Sequence, residues 1–186
     1  MNSPGPSRTL EPTAAPAFDL RAFRRALSCF TTGVAVVTAT DAESRPLGLT
    51  ISSFNSVSLE PPLVLFSLAR SAHSLEAMRR AQGYAVNVLA AHQRDLSDRF
   101  ARALHDKWSA VAHASGHGGS RLLDGALAHF ECAPYAEHDG GDHVIFVARV
   151  VRFAEAAGEP LVFFRGAYRQ LADGGLKPSW PLPIHY

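Results

Sequence analysis

Apolar residues recur at Phe23, Leu27 and Phe30, four and three positions apart, with Arg21, Arg24 and Arg25 mostly elsewhere. That spacing predicts an amphipathic helix, capped by Asp19, running to Phe30 and packed on a core. The period then changes. Gly33 to Thr40 is rich in β-branched residues, the polar stretch 41–45 turns the chain, and a second strand begins near Leu47, which together predict a hairpin. A strand from Leu63 to Leu68 is entered through Pro61 and Pro62, which suit an extended entry better than a strand centre. Helical patterns at 72–81 and 92–104 flank the alternating segment Tyr84 to Leu89, which reads as another strand. The stretch His113 to Gly119 has no period and reads as an exposed, mobile loop. Strands follow at Leu127 to Tyr135 and His143 to Phe153, joined by Asp139-Gly-Gly-Asp142, whose residues accept the positive φ of a tight hairpin. Leu161 to Phe164 adds one more. Six or seven strands, mostly hairpin-linked with helices inserted, predict a mainly β chain closed as an antiparallel barrel rather than a doubly wound parallel sheet.

Composition narrows the picture to one domain, expected over 18–172. The chain has 186 residues, 47% apolar and 19% charged, enough for one sizeable core. Its 18 basic and 17 acidic residues nearly cancel, so it carries no broad positive field for nucleic acid or anionic lipid. No window approaches twenty uncharged apolar residues, so no membrane span is expected. Residues 1–17 hold Pro4, Pro6, Pro12 and Pro16 and read as a flexible tail without a signal-peptide core; 173–186 reads as a C-terminal tail. Cys29 and Cys132 suit two reduced, buried thiols, and the expected compartment is the cytoplasm.

The segment Thr50 to Pro62 carries five hydroxyls, at Thr50, Ser52, Ser53, Ser56 and Ser58, and no positive charge. Closely spaced hydroxyls and amides suit a ligand with neutral donors and acceptors along one edge, as the pyrimidine side of a flavin has. A serine-rich edge strand facing water reads the same residues equally well. Ser67-Leu-Ala-Arg70-Ser71-Ala-His-Ser74 then joins a strand to a helix, with Ser71 the expected N-cap and Arg70 a partner for a phosphate at that helix start; a capped surface helix is the plainer reading. His143 opens its strand after Gly140-Gly141-Asp142, which puts its ring at a barrel rim. His113 and His117 have a metal-like spacing, but the surrounding glycines argue against a helix and no third ligand is near, so no metal is expected. No dinucleotide-binding glycine fingerprint, phosphate-binding P-loop or nucleophile elbow is present.

Taken together and in order, Phe30-Thr-Thr-Gly-Val34, Gly48 to Pro62, Ser71 with Ser74, Val86-Asn-Val-Leu89, Gly125-Ala-Leu-Ala128 and Gly141-Asp-His-Val-Ile-Phe146 resemble the short-chain flavin reductase family, from about Phe23 to Leu171. The resemblance implies an FMN-binding type split β-barrel, usually a homodimer with flavin near the subunit interface. It implies an enzyme that uses NADH or NADPH to reduce FMN or FAD and supplies the reduced flavin to a separate oxygenase. Thr32, Gly33, Val34, Thr50, Ile51, Ser52, Ser53 and Ser56 match its isoalloxazine-contacting segments. Ser67, Arg70, Ser71 and Ser74 match its ribityl and phosphate side. Phe100 is expected to close over the flavin, His143 to sit by the nicotinamide, and Tyr168 to lie where the chain returns toward the site. The chain departs from the family at Ala148, where glycine is common. Two other functions fit the same barrel: a redox carrier or sensor holding FMN firmly, and an oxygenase acting on its own organic substrate in a third pocket near 113–119 and Trp180.

Overall fold

The computed structural model describes residues 18–103 and 106–171, and both expected tails lie outside them. In chain order the elements are α1 (Leu20–Leu27), β1 (Thr32–Gly33), β2 (Ala35–Thr40), β3 (Pro46–Ile51), β4 (Asn55–Leu59), β5 (Pro62–Ala69), α2 (Leu75–Arg80), β6 (Tyr84–Val88), α3 (Arg94–Ala101), β7 (His113–Ser115), β8 (Arg121–Leu123), β9 (Ala128–Gly140), β10 (His143–Glu155), β11 (Val162–Phe164) and β12 (Ala167–Arg169).

Seven strands form one antiparallel sheet in the order β3-β2-β6-β9-β10-β5-β4. Alternate residues of each strand turn inward, as a period of two requires. Val64, Phe66 and Leu68 of β5 therefore meet Val144, Phe146 and Ala148 of β10, with Val37, Ile51, Tyr84 and Val86, in a single core. The Phe66 and Phe146 rings stack with centroids 5.1 Å apart, and Tyr84 stands edge-on to both. Ala148 is fully buried in that core opposite Val64, so the departure from glycine fills space rather than opening it. One side chain adds a polar tie across the curled sheet. The Ser53 hydroxyl accepts the Ser67 N–H at 3.0 Å and donates to the Ser67 carbonyl at 3.2 Å, fastening the segment after β3 to β5. No ladder joins β3 to β4, so the barrel is split there.

A second apolar cluster lies on the outer face of β2, where Val34, Val36 and Leu89 pack with Phe100 of α3, Leu123 of β8 and Leu161. Three pieces cover it: α3, the β7–β8 hairpin, and a small sheet of order β1-β11-β12.

Several elements differ from the expectation. The hydroxyl-rich stretch is not one strand: it breaks at 52–54, and β4 then folds back on β5 through a turn at Glu60 and Pro61, with Pro62 taking the first strand position a proline tolerates. Residues 113–123 form a hairpin, not a loop. Thr38 donates to the Arg121 carbonyl (2.7 Å) and accepts the Arg121 N–H (3.0 Å), Thr40 donates to the Gly119 carbonyl, and Glu131 accepts the His117 N–H at 2.6 Å. Gly118 has φ +59°, and a Cβ there would meet the Gly83 nitrogen at 2.5 Å. Asp19 caps α1 as expected, accepting from the Arg21 and Ala22 amides, but the helix ends at Leu27 and none of its residues is buried among the described ones. Cys29 beyond it is exposed; Cys132 is buried, which pushes its thiol up to about 12. Helix α2 begins after Ser74 rather than Ser71, with no side-chain cap.

Candidate active site

One cleft lies along β3 and another beside the segment that follows it. The smaller, of about 390 Å³, is walled by Thr32, Gly33 and Val34 on one side and Ser52 and Ser53 on the other, with Phe30 at its lip. Pairing of Thr32 with Phe163 and of Gly33 with Val162 fixes the first wall, and the Ser53–Ser67 bonds fix the second. Thr32 is half-buried while Gly33 and Ser52 are exposed. The Val34 N–H is already taken by the Leu161 carbonyl, and Ile51 points into the barrel core. This cleft has hydroxyls and backbone polar groups and no ionisable side chain in its lining, a donor set fitted to a neutral heterocyclic edge. Ser56 lies on β4 opposite Val64 and lines neither cleft.

The larger cleft, of about 910 Å³, gathers Thr50, Ser74 and Phe100 with Gly48, Lys107 and Trp108. The Thr50 hydroxyl donates to the Ser97 carbonyl at 2.7 Å, which ties β3 to α3. Phe100, expected to close over the flavin, lies packed in the wall of this cleft. It is 1% exposed and pressed on Gly48, where a Cβ would lie 2.5 Å from its ring, with Trp108 edge-on at 4.8 Å. Lys107 is half-buried, its Nζ 3.3 Å from the Phe100 carbonyl and 3.5 Å from that of Gly48, and burial holds its pKa below the usual lysine value. Gly48, Lys107 and Trp108 were not singled out from sequence as binding residues; a lone Lys-Trp pair in an aperiodic stretch carries no signal until α3 folds it over β3.

At the rim, β10 starts with His143 opposite Ala69 of β5. Two residues along, roughly 7 Å at the rise of a strand, Ile145 pairs with Ser67, the residue that Ser53 grips. His143 therefore stands at the start of β10, at the rim of the sheet, and lines neither cleft. Its Nδ1 lies 2.7 Å from an Asp142 oxygen; a carboxylate only accepts, so Nδ1 carries the proton and Nε2 is left to face outward. That hydrogen bond and the imidazole's charge, helped by Arg24, hold the Asp142 carboxyl below its usual range. Arg70 is not free for an anion: Nε donates to the Gly141 carbonyl (2.7 Å) and Nη2 pairs with Asp139 (2.9 Å), clamping the β9–β10 turn. Ser71 is exposed in the turn after β5.

Tyr168 reaches neither cleft. Its hydroxyl bonds Ser97 Oγ and Asp98 Oδ1, both at 2.9 Å, and its ring stands edge-on to Phe163. A continuous path results: Thr32 pairs with Phe163, Phe163 with Tyr168, Tyr168 bonds Ser97, and the Ser97 carbonyl accepts from Thr50. Tyr168, expected where the chain returns toward the site, thus contacts Ser97, which supports Thr50, and lines neither cleft. Among the described residues no group of three or more His, Cys, Asp or Glu side chains could hold a metal.

Residues 27–172 match the family model described as "Flavin reductase like domain". The chain is 44% identical over 151 residues to a Rhizobium meliloti protein described as "Probable flavin reductase", covering 81% of this chain and 49% of that protein, so it spans about half that relative's length. It is 39% identical over 171 residues to the reductase subunit of a flavin-dependent monooxygenase from Rhodococcus jostii, covering 91% of this chain and 85% of that one. Among solved structures, the NADH:FAD oxidoreductase of Streptomyces globisporus, determined with NAD and FAD fragments, superposes with a TM-score of 0.80 at 34% identity, covering 91% of this chain and 99% of that one. The fold, the hydroxyl-walled cleft and these matches agree: the chain belongs to the flavin reductase family and adopts its antiparallel split barrel.

Proposed function

We propose that the protein is an NAD(P)H:flavin oxidoreductase that reduces FMN or FAD and passes the reduced flavin to a separate oxygenase. The observation that carries this reading is the contrast between the two clefts: a neutral, hydroxyl-walled one at 52–55 and a larger one along β3 with an apolar floor and a half-buried lysine. A flavin has that division itself, a neutral ring system with an anionic tail. When bound, the cofactors supply the redox chemistry, hydride moving from nicotinamide C4 to flavin N5. The chain's residues have to orient and align the rings. Thr32, Gly33, Ser52 and Ser53 offer hydroxyls and backbone groups to the pyrimidine edge, and donors there stabilise negative charge that develops on reduction. Lys107 rather than Arg70 is the cation available to the phosphate side, with Thr50 and Ser74 beside it. His143, its tautomer fixed by Asp142, orients the nicotinamide through Nε2.

Phe30 is 76% exposed at the lip of the small cleft, and Phe18 before the adjoining helix and Leu20, Phe23 and Leu27 in it are also exposed. An apolar surface of this kind supports a homodimer with the flavin near its interface. The reading is tested by following NADH and NADPH oxidation with free FMN, FAD and riboflavin. Reduction well above the uncatalysed background is expected for at least one flavin, and background rates with all three would refute it.

A further inference from the structure

Arg70 is tied down more firmly than a surface arginine needs to be. Its side chain is 44% exposed, yet it forks onto two residues of the β9–β10 turn, with Nε donating to the Gly141 carbonyl at 2.7 Å and Nη2 pairing with Asp139 Oδ1 at 2.9 Å. The Arg70 backbone N–H adds a third bond, to the Asp142 carbonyl at 2.9 Å. Asp139 Oδ1 also accepts the Gly141 N–H at 2.8 Å, so one carboxylate joins the guanidinium to the backbone of the turn. Residues 139–142 are all exposed, and a Cβ at Gly141 would meet nothing within 4 Å among the described residues. Packing therefore does little to fix this turn, and the bonds from Arg70 do most of it. An ion pair this exposed contributes little to folding, so its consequence is local. His143 is the next residue along, paired with Ala69, the neighbour of Arg70 on β5. Its Nδ1 is held by the Asp142 carboxylate at 2.7 Å, and Asp142 is also the residue whose carbonyl Arg70 holds. The backbone of Asp142 sets where its carboxylate stands, and with it the direction of the imidazole. Orientation of a group beside a hydride-transfer site is sensitive to small displacements of this kind.

We propose that Arg70 is a positioning residue for hydride transfer, acting through the 139–142 turn to fix the orientation of His143 and touching neither flavin nor nicotinamide itself. The inference rests on the reading of His143 as the residue beside the nicotinamide, and the test keeps the two apart. Steady-state reduction is measured with the nicotinamide varied at saturating flavin, on the wild type, Arg70→Met, Arg70→Lys, His143→Ala and the double variant Arg70→Met with His143→Ala. FMN and riboflavin affinities are measured by fluorescence titration, with melting temperatures as the folding control. Arg70→Met is expected to lower kcat/KM for the nicotinamide about fivefold, with both flavin affinities within about twofold of wild type and the melting temperature unchanged. A lysine cannot form the planar fork, so Arg70→Lys should fall with Arg70→Met; full activity in the lysine variant would show that charge alone is used and overturn the proposal. In the His143→Ala background Arg70→Met should add less than about twofold, because it acts through the imidazole. A further fivefold loss there would make Arg70 a direct substrate contact, and weaker FMN binding with riboflavin unchanged would make it a phosphate ligand; either result overturns the proposal. If His143→Ala alone runs at the wild-type rate, the assignment of His143 fails and the proposal with it, while the reductase reading stands. A protein that reduces no flavin overturns the reductase reading, and the proposal falls with it.

Discussion

Asp142 orients His143 before any substrate arrives, and the strand pairing of His143 with Ala69 puts the ring at the rim near the Ser53–Ser67 junction. His143→Ala should raise the nicotinamide KM or slow reduction several-fold while flavin affinity changes less than about twofold; equal loss of flavin binding, measured by titration, would remove His143 from the nicotinamide side. His143 was legible in the sequence because a Gly-Gly-Asp turn immediately before a strand places the next residue at a rim. Arg70 was misleading for a physical reason. A guanidinium beside a helix start looks available to phosphate, but its partners Asp139 and Gly141 lie some seventy positions on, in a turn that only the β5–β10 pairing brings alongside. Lys107 reverses the case, an isolated lysine whose surroundings exist only after α3 packs on β3.

At the scale of elements, Tyr168, Ser97 and Thr50 link the small sheet β1-β11-β12 to β3 and so hold the walls of the two clefts in register. Tyr168→Phe keeps the ring packing on Phe163 and loses the hydroxyl bonds, which contribute about 1 kcal/mol each. Flavin affinity should fall about three- to tenfold with the nicotinamide KM unchanged, and Ser97→Ala combined with it should add little; additive losses would show that the two residues act separately. The β7–β8 hairpin depends on Glu131, which accepts from the His117 amide and from Arg152 (2.8 Å). Burial raises its pKa, but Arg152 and the amide outweigh that and hold it below the usual carboxylate value. Its contribution is therefore complete above about pH 4.3, the usual glutamate value, and is lost as the pH falls through the lowered folded pKa. Amide exchange in 113–123 should accelerate on acidification through that range, and Glu131→Gln should make it fast at neutral pH, with a loss of about 1–3 kcal/mol; exchange unchanged by the substitution would contradict this. The hairpin was hidden because its bonding partners are Thr38, Thr40 and Glu131, none of them in the local sequence. The strands β2, β5, β6, β9 and β10, by contrast, were readable because each carries its own alternation or turn signal.

For the whole molecule, hairpin-linked strands with inserted helices were enough to give the antiparallel barrel, whereas the fastening of the segment after β3 onto β5 runs through one serine, Ser53, bonded to Ser67. Helix α1 shows where a single-chain reading stops. Its apolar stripe was visible, but among the described residues no core covers it, since Phe23 is 45% and Leu27 57% exposed. The proposed association of two copies through that face would account for both facts. Sedimentation should give a dimer at micromolar concentration, and Phe23→Glu with Leu27→Glu should give a monomer with weaker flavin binding; a wild-type monomer would leave the stripe unexplained. Flavin reduction itself tests the central claim most directly. Mixing the purified protein with NADH or NADPH and free flavin under steady-state conditions should give nicotinamide oxidation far above the uncatalysed rate, lowered several-fold in His143→Ala; wild-type rates at background with FMN, FAD and riboflavin alike would contradict the account.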